Sequence, residues 1–216
     1  MRDTVLRHTP LVRTTHWVIA ISGIMLLFSG FGEMPMYKRY MLTELPGMAW
    51  TSDFALQTVI HYIAAFFFTA ALFFHMVYHT MNNEFSIIPR KGDMKESWDI
   101  IKAMITGKEE PPSGKFLAEQ RVAYAAIGTV SLVLVFTGLI KVYKNTGAIV
   151  LDAAMLKYVT LLHTASTMIF MLLIIAHLAA FIIKANRPLV PSMFTGRIDK
   201  QYAEHRHSKW ETKTSE

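Results

Sequence analysis

The stretch LKYVTLLHTASTMIFMLLIIAHLAAFIIKANR, residues 156–187, decides the fold, because it is a membrane-length apolar run that carries two histidines, His163 and His177. Imidazole is costly in hydrocarbon, so both rings need partners, and a metal cofactor supplies partners for both. The two histidines are fourteen residues apart. At about 100° and ~1.5 Å per residue, this spacing places the two rings on one stripe of a helix, ~21 Å apart. We therefore expect one helix to face two stacked cofactors.

The composition is that of an integral membrane protein. The chain has 216 residues, of which 52% are hydrophobic and only 18% are charged, and its mean hydropathy is positive. It contains no cysteine, which excludes disulfides, iron–sulfur ligation, thiolate zinc sites and covalent haem attachment within this chain. The net charge of +6 lies mostly in loops and tails, where it indicates membrane topology rather than nucleic-acid binding.

Four apolar runs have about the ~20 residues that a spanning helix needs. They predict an all-α integral membrane four-helix bundle, forming a single domain over residues 1–216, with no internal repeat beyond a shared histidine spacing in the second and fourth runs. Arginines precede the first run, as in a signal peptide, but no small-residue cleavage pattern follows it, so we expect a retained helix. The runs are residues 16–32, 54–80, 122–142 and 153–184.

Lysine and arginine orient the bundle, because cytoplasmic loops and tails collect them. The N-terminus, the loop after the second run and the basic tail of residues 185–216 are rich in these residues, and the opposite loops are poor in them. Both termini are therefore predicted to be cytoplasmic. The cationic residues on the predicted cytoplasmic side include Arg2, Arg7, Arg13, Arg90, Lys91, Lys95, Lys102, Lys108, Lys115, Lys184, Arg187, Arg197, Lys200 and Lys213, against Lys38, Arg39, Lys141, Lys144 and Lys157 on the other side.

A short amphipathic helix is predicted in the loop between the second and third spans. Asp93 is a candidate N-cap, Trp98, Ile101 and Ile105 form an apolar side, and Gly107 ends the helix. This piece is expected to lie on the cytoplasmic membrane surface.

Depth sorts the histidines into two levels. With both termini inside, His61 and His163 lie near the outer face, whereas His177 lies near the inner face with either His16 or His75. A six-coordinate haem iron takes two axial imidazoles from facing helices. The pattern therefore indicates a bundle that encloses two b haems.

Other interpretations of the histidines stay open at this point. One alternative is a bundle that transports a metal or protons, for which broken helices and intramembrane carboxylates would be expected. Another is a haem-free anchor. Histidines near helix ends or in tails are ordinarily interfacial or hydrogen-bonded, and that is our interpretation of His8, His79, His205 and His207.

A family resemblance rests on four segments taken in order. These are RTTHW at 13–17, GKFLAEQR at 114–121, LLHTASTMIFMLLIIAHLAAF at 161–181 and GRIDKQYAEHRHSKW at 196–210. Together they resemble the cytochrome b (gamma) subunit of membrane-bound respiratory formate dehydrogenases and, more distantly, the di-haem cytochrome b of nickel–iron hydrogenases. The likeness covers nearly the whole chain.

The resemblance implies a ligand set for each haem. His61 and His163 would bind the outer haem b, and His16 and His177 the inner one. His75 departs from the family pattern, and it is the alternative to His16 as an inner ligand.

The resemblance also implies a quinone site before the third span. Within GKFLAEQR, Lys115 and Gln120 match the family, whereas Leu117 replaces an asparagine and Glu119 replaces a glycine. Lys115, Glu119 and Gln120 are therefore the candidate residues for a menaquinone or ubiquinone, and Glu119 is a candidate proton relay or a helix-start carboxylate.

The implied role is that of membrane anchor and electron conduit in the bacterial cytoplasmic (inner) membrane during anaerobic respiration. Electrons from an iron–sulfur (beta) subunit would pass through the two haems to the quinone, while a catalytic (alpha) subunit acts on formate. The chain alone would perform no chemistry on formate. The same role in a hydrogenase or a sulfur-compound reductase is the alternative, because the donor is determined by another chain.

Overall fold

The structure, a computed structural model, describes residues 3–108 and 110–210. The predicted orienting charges of Arg2 and Lys213 lie outside the described residues, as does the end of the predicted tail, residues 211–216.

Four long helices dominate the described residues. Each is long and apolar enough to cross a membrane, which confirms the all-α, four-helix prediction. The orientation of the termini stays a prediction. The helices are α1 (Pro10–Gly32), α3 (Phe54–Met81), α5 (Ala118–Asn145) and α6 (Ala153–Ala179).

Short elements complete the described chain. The helical ones are α2 (Pro35–Arg39), α4 (Asp93–Thr106), α7 (Ser192–Thr195) and α8 (Lys200–Arg206), with 3-10 turns at Leu42–Glu44, Ala49–Ser52, Ala180–Ile182 and Lys184–Leu189. The strands are β1 (Thr4–Leu6) and β2 (Arg197–Asp199).

Two of the long helices begin earlier than the apolar runs predict. The Thr9 hydroxyl accepts the backbone N–H of Val12 at 3.4 Å and proline occupies the first helical position, so α1 starts at Pro10 rather than at residue 16. The Gln120 side chain accepts the N–H of Leu117 at 3.2 Å and so starts α5 before residue 122. Arg13 in α1 and Glu119 and Gln120 in α5 interrupt the apolar signal near these starts, and capping explains both differences.

Aspartate caps fix the starts of the two histidine-rich helices. Asp53 accepts the N–H of Leu56 at 3.1 Å before α3, and Asp152 accepts the N–H of Met155 at 2.8 Å before α6. Such caps satisfy backbone donors that have no partner within the helix. Both helices therefore have a defined start from which the depth of each histidine follows.

The sides of the long helices are largely unburied. Only 17% of the most apolar window is buried in α1 and in α3, and only 11% in α5 and in α6. Large apolar side chains such as Phe66, Phe73 and Phe136 are exposed. This surface suits contact with lipid rather than with water, because helices satisfy their backbone polar groups internally.

The described residues form two compact units. One is Thr14–Asn82, which holds most of α1 together with α2 and α3. In this unit a Cβ added at Gly32 would lie 2.8 Å from Cδ of the buried Gln57, so glycine allows the close approach of α3 to α1. The other unit combines the described residues of Met1–Arg13 and Asn83–Glu216, and within it α5 packs against both α4 and α6.

Helix α4 corrects one prediction about its start. Gly92, with φ of 99°, is the N-cap, and Asp93 is the first helical residue rather than the cap. The Asp93 carboxylate instead accepts the N–H of Arg90 at 2.7 Å and pairs with Arg121 of α5 through two contacts of 2.7 Å. The guanidinium of Arg121 lowers the pKa of Asp93 from its usual value. A buried ion pair thus joins α4 to the start of α5.

The two ends of the described chain meet in a small sheet. Strand β1 pairs antiparallel with β2, with Val5 opposite Ile198. Gly196 precedes β2 with φ of 80°, and its carbonyl accepts the N–H groups of Arg7 and His8 at 2.8 and 3.1 Å. A Cβ on Gly196 would lie 2.5 Å from the His8 carbonyl oxygen, so this turn requires glycine.

We expect Asp93→Asn to lower the free energy of unfolding by about 3 kcal/mol, because Arg121 would stay buried without its counter-ion. Since the pKa of Asp93 is lowered in the folded state, its stabilisation is present above about pH 4 and is lost as the pH falls further. Unfolding of the detergent-solubilised chain, followed at several pH values, measures both effects. Asp99→Asn, an exposed change on the same helix, is the control, and an equal loss there would contradict the assignment.

Candidate functional site

The long helices place the predicted haem ligands at two levels. His163 and His177 lie on the single helix α6, and His61 and His75 lie on α3. Because each helix is continuous between its two histidines, the members of each pair are ~21 Å apart along the axis. His16 lies in the second turn of α1. The partners of each predicted haem belong to different units, so the pairing across the units stays a prediction.

His61 receives a polar partner from the neighbouring helix in its own unit. Its Nδ1 lies 2.9 Å from Oγ of Ser29 on α1. The Ser29 hydroxyl donates its hydrogen to the Met25 carbonyl at 2.7 Å, so towards the ring it presents only a lone pair. With the hydroxyl hydrogen on the Met25 carbonyl, Nδ1 carries the ring proton and donates it to Ser29.

His163 has the same arrangement in the other unit. Its Nδ1 lies 2.7 Å from Oγ1 of Thr137 on α5, and that hydroxyl donates to the Val133 carbonyl at 2.7 Å. The same hydrogen accounting makes Nδ1 of His163 the donor. Both predicted outer ligands are thus held in the Nδ1–H tautomer.

A glycine follows each of these hydroxyl residues. A Cβ added at Gly30 would lie 3.4 Å from Cε1 of His61, and one at Gly138 would lie 3.5 Å from Cε1 of His163. The backbone of the partner helix therefore lies close to the edge of each ring. Two contacts, one polar and one at the ring edge, set the plane of each imidazole.

This chemistry fits axial haem ligation. A histidine that donates from Nδ1 holds its lone pair on Nε2, the nitrogen through which it would bind iron, and such an outer hydrogen bond is the usual companion of a metal-bound histidine. His61 and His163 have the donor set and tautomer that a b haem requires.

The inner histidines have aromatic surroundings. The ring of His177 meets Phe181 edge-on at 5.8 Å, and the ring of His16 meets Trp17 edge-on at 5.6 Å. His75 lies 4.4 Å from His79, ring centre to ring centre. His16 and His75 both stay candidates for the inner ligand.

The predicted quinone residues lie at the start of α5 but differ in their surroundings. The Gln120 carboxamide oxygen accepts the N–H of Leu117 and also lies 3.5 Å from the Arg7 guanidinium, so it has a clear structural role. Both carboxylate oxygens of Glu119 are buried and make no hydrogen bond within the described part of the chain. Burial lowers the pKa of Lys115, whose ammonium lies 5.5 Å from the Phe116 ring centre.

The tail holds the segment that precedes α5. Nδ1 of His207 lies 2.8 Å from the Gly114 carbonyl oxygen, its Nε2 lies 3.4 Å from Arg7, and the Lys209 N–H donates to the Ser113 carbonyl at 3.0 Å. Arg206 donates to Glu110 at 2.8 Å. Burial lowers the pKa of Arg7 to about 10. The ordinary hydrogen-bonded interpretation of His207 therefore matches its contacts, although its side chain is fully buried.

Sequence reasoning missed Ser29 and Thr137 as histidine partners. A signal was present, because the pattern Leu-X-Phe-(Ser/Thr)-Gly occurs at residues 26–30 and again at 134–138. Each copy lies on the helix that precedes a helix with two histidines fourteen residues apart. The repeat extends the shared histidine spacing to the partner helices.

We expect the contact between His207 of the tail and Gly114, in the segment before α5, to weaken in acid. Burial, followed by the nearby charge of Arg7, lowers the pKa of His207 to about 4, so its neutral form stabilises the fold above about pH 6.5 and this stability is lost as the pH falls from there towards 4. His207→Gln should flatten this part of the stability profile, as measured by protease sensitivity of the tail against pH. His205→Gln, in the exposed neighbour, should retain the wild-type profile, and a flattened profile there would refute the assignment.

The chain is also similar to known proteins. A family model described as prokaryotic cytochrome b561 matches residues 7–196. The formate dehydrogenase cytochrome b556 subunit of Haemophilus influenzae is 22% identical over 214 residues, covering 95% of this chain and 82% of the relative. The nitrate-inducible formate dehydrogenase cytochrome b556(Fdn) subunit of Escherichia coli K12 is 23% identical over 201 residues, covering 92% and 86%. The cytochrome b556(fdo) subunit of the same strain is 22% identical over 218 residues, covering 97% and 92%.

Proposed function

The chain belongs to the prokaryotic cytochrome b561 family, and from this premise we propose that it is the di-haem membrane subunit through which an oxidoreductase complex passes electrons to a quinone. Members of this family are membrane cytochromes b that transfer electrons. The count of two haems, the quinone and the partner subunits are the proposed parts.

One observation carries the proposal. His61 and His163, on different apolar helices, are both held in the Nδ1–H tautomer by a buried hydroxyl. An imidazole in a membrane helix is costly unless both its nitrogens are engaged, and this tautomer presents Nε2 for a metal. A transporter histidine, which must gain and lose a proton, has no need of a fixed tautomer at two matched positions.

We assign the haem ligands by level. His61 and His163 would hold the outer haem b, and His177 with His16 would hold the inner one, with His75 as the alternative to His16. A bound b haem supplies a one-electron carrier whose potential the axial ligands adjust. The chain's own contribution is to orient the imidazoles and to exclude water from around them.

The names of the relatives suggest the donor. They are subunits of formate dehydrogenases, and the sequence resemblance points the same way. The partners would then be an iron–sulfur (beta) subunit and a catalytic (alpha) subunit that oxidises formate, with this chain performing no chemistry on formate. A hydrogenase or a sulfur-compound reductase is the alternative complex.

The quinone, a menaquinone or ubiquinone, would be reduced near the start of α5. Glu119 is the residue there whose buried oxygens have no hydrogen-bond partner among the described residues, which supports a role in handling the protons that quinone reduction consumes. Lys115 lies in the same segment, whereas Gln120 would contribute mainly by fixing the helix start.

The proposed location is the bacterial cytoplasmic (inner) membrane. The basic N-terminus, loop and tail support a cytoplasmic side for both ends of the chain. Quinone reduction at the level of His177 would then draw its protons from the cytoplasm. Each electron that moves inward across the membrane works against the membrane potential, and this work is ~2.3 kcal/mol per 100 mV.

The purified full-length chain is expected to contain two b haems. A reduced-minus-oxidised spectrum with haem quantification measures this, and one haem or none would overturn the di-haem claim. His61→Ala and His163→Ala should each remove the outer haem because the iron loses an axial ligand, leaving about one haem per chain. His205→Ala, in the exposed tail, should retain both.

His75→Ala is expected to retain both haems, whereas His16→Ala should lose the inner one, since RTTHW at residues 13–17 matches the family pattern. The same haem quantification applies. The reverse result, with the inner haem lost only in His75→Ala, would assign His75 as the partner of His177.

A further inference from the structure

We propose that Ser29 and Thr137 are positioning residues of the outer haem, each fixing one axial histidine by accepting its Nδ1–H and together lowering the midpoint potential of that haem. The inference rests on the proposed function, because it takes His61 and His163 as the ligands. It goes further by assigning roles to two residues on α1 and α5, the helices that do not carry the proposed ligands of the outer haem.

The argument begins with the single hydrogen of each hydroxyl. Ser29 donates to the carbonyl four residues earlier, Met25, and Thr137 donates to the equivalent carbonyl, Val133, both at 2.7 Å. The oxygen is then an acceptor towards the histidine. Two independent contacts, of 2.9 and 2.7 Å, give the same tautomer.

Burial makes these contacts hard to replace. Ser29 and Thr137 are 0% and 1% exposed, so a water molecule has little access to either hydroxyl. Loss of the acceptor would leave a buried N–H without a partner, which is costly, and the ring would be free to rotate or to change tautomer. The hydroxyl therefore acts on the iron through the histidine, as an outer-shell partner does.

A bond to the helix's own backbone does not explain the pair. Ser22, which lies on the same face of α1 as Ser29, is also buried and donates to the Val18 carbonyl at 2.5 Å. An intrahelical bond alone therefore satisfies a serine in this helix. Ser29 adds a histidine to that bond, and Thr137 does the same in the other unit. The repeated Leu-X-Phe-(Ser/Thr)-Gly segment places both hydroxyls before a glycine that lies against the ring.

The expected electronic effect has a definite sign. A hydrogen bond from Nδ1–H to oxygen makes the imidazole a stronger electron donor through Nε2, and this raises ligand basicity and favours ferric over ferrous iron. Removing the acceptor should therefore raise the midpoint potential. Because both hydroxyls act on the same iron, the two effects should add on one haem and leave the other unchanged.

The test uses Ser29→Ala, Thr137→Val and the double variant in the purified full-length chain. Redox titration of the alpha band is expected to show one of two midpoints moving upward in each single variant and further in the double variant, with about 10-fold weaker retention of that haem on dilution. Electron paramagnetic resonance of the oxidised chain should show altered g-values for the same haem, because the signal depends on the relative planes of the two imidazoles.

Two control variants separate positioning from helix structure. Ser22→Ala removes a buried hydroxyl of α1 and should leave both midpoints unchanged. Thr137→Ser retains the hydroxyl and should restore the wild-type midpoint and g-values. If Thr137→Val loses the outer haem altogether while Thr137→Ser retains it, the assignment is supported.

The outcomes also separate this inference from the proposed function. Two haems with unchanged midpoints and g-values in the double variant would overturn the positioning role and leave the ligand assignment intact. The midpoint that moves must belong to the haem that is lost in His61→Ala and in His163→Ala. If that haem is retained in both alanine variants, the positioning role is also overturned. A wild-type chain without haem would instead refute the proposed function.

Discussion

The structure depends on one constraint: an imidazole inside a membrane needs a partner for each ring nitrogen. In each unit the first partner comes from a buried hydroxyl on the preceding long helix, which meets Nδ1 of His61 or of His163. That contact joins α1 to α3 and α5 to α6 at a defined height. It also fixes which nitrogen the proposed haem would bind, so helix pairing and the proposed ligand chemistry are parts of one arrangement. The apolar sides of the helices can then vary freely, because lipid makes few specific demands on them.

Polar contacts concentrate before and after the spanning helices rather than within them. Asp93 and Arg121 join α4 to α5, while Arg7, Arg206 and His207 connect the N-terminal segment, the tail and the loop before α5. The residues beside the candidate quinone site are therefore held by contacts from three parts of the chain: the N-terminal segment, α4 and the tail. Glu119 lies among these satisfied groups with two buried oxygens that make no hydrogen bond within the described residues. Where the surroundings satisfy nearly every polar atom, such a carboxylate is a good candidate for a group that exchanges protons.

The sequence predicted the four long helices well, because hydropathy is a local property, whereas the level of each histidine in the membrane stays a prediction. It did not predict that Asp93 forms an ion pair instead of a cap, since Arg121 is distant in sequence and becomes its partner only when α4 packs on α5. The sequence analysis did not identify Ser29 and Thr137 as histidine partners for the same reason, as a hydroxyl does not reveal which histidine it faces. The fold class was thus accessible from composition. The hydroxyl partners of His61 and His163 required the packing of helices.

The strand pair has a consequence for how the chain is made. Residues 4–6 leave the ribosome early, but their partners at 197–199 follow only after all four long helices have been synthesised. The sheet and the tail contacts with the loop before α5 can therefore form only on a chain whose last long helix is complete. A prematurely ended or misinserted chain would present an unpaired edge at β1, which is the kind of exposed segment that quality-control proteases recognise. Closure of this sheet thus follows the synthesis of all four long helices.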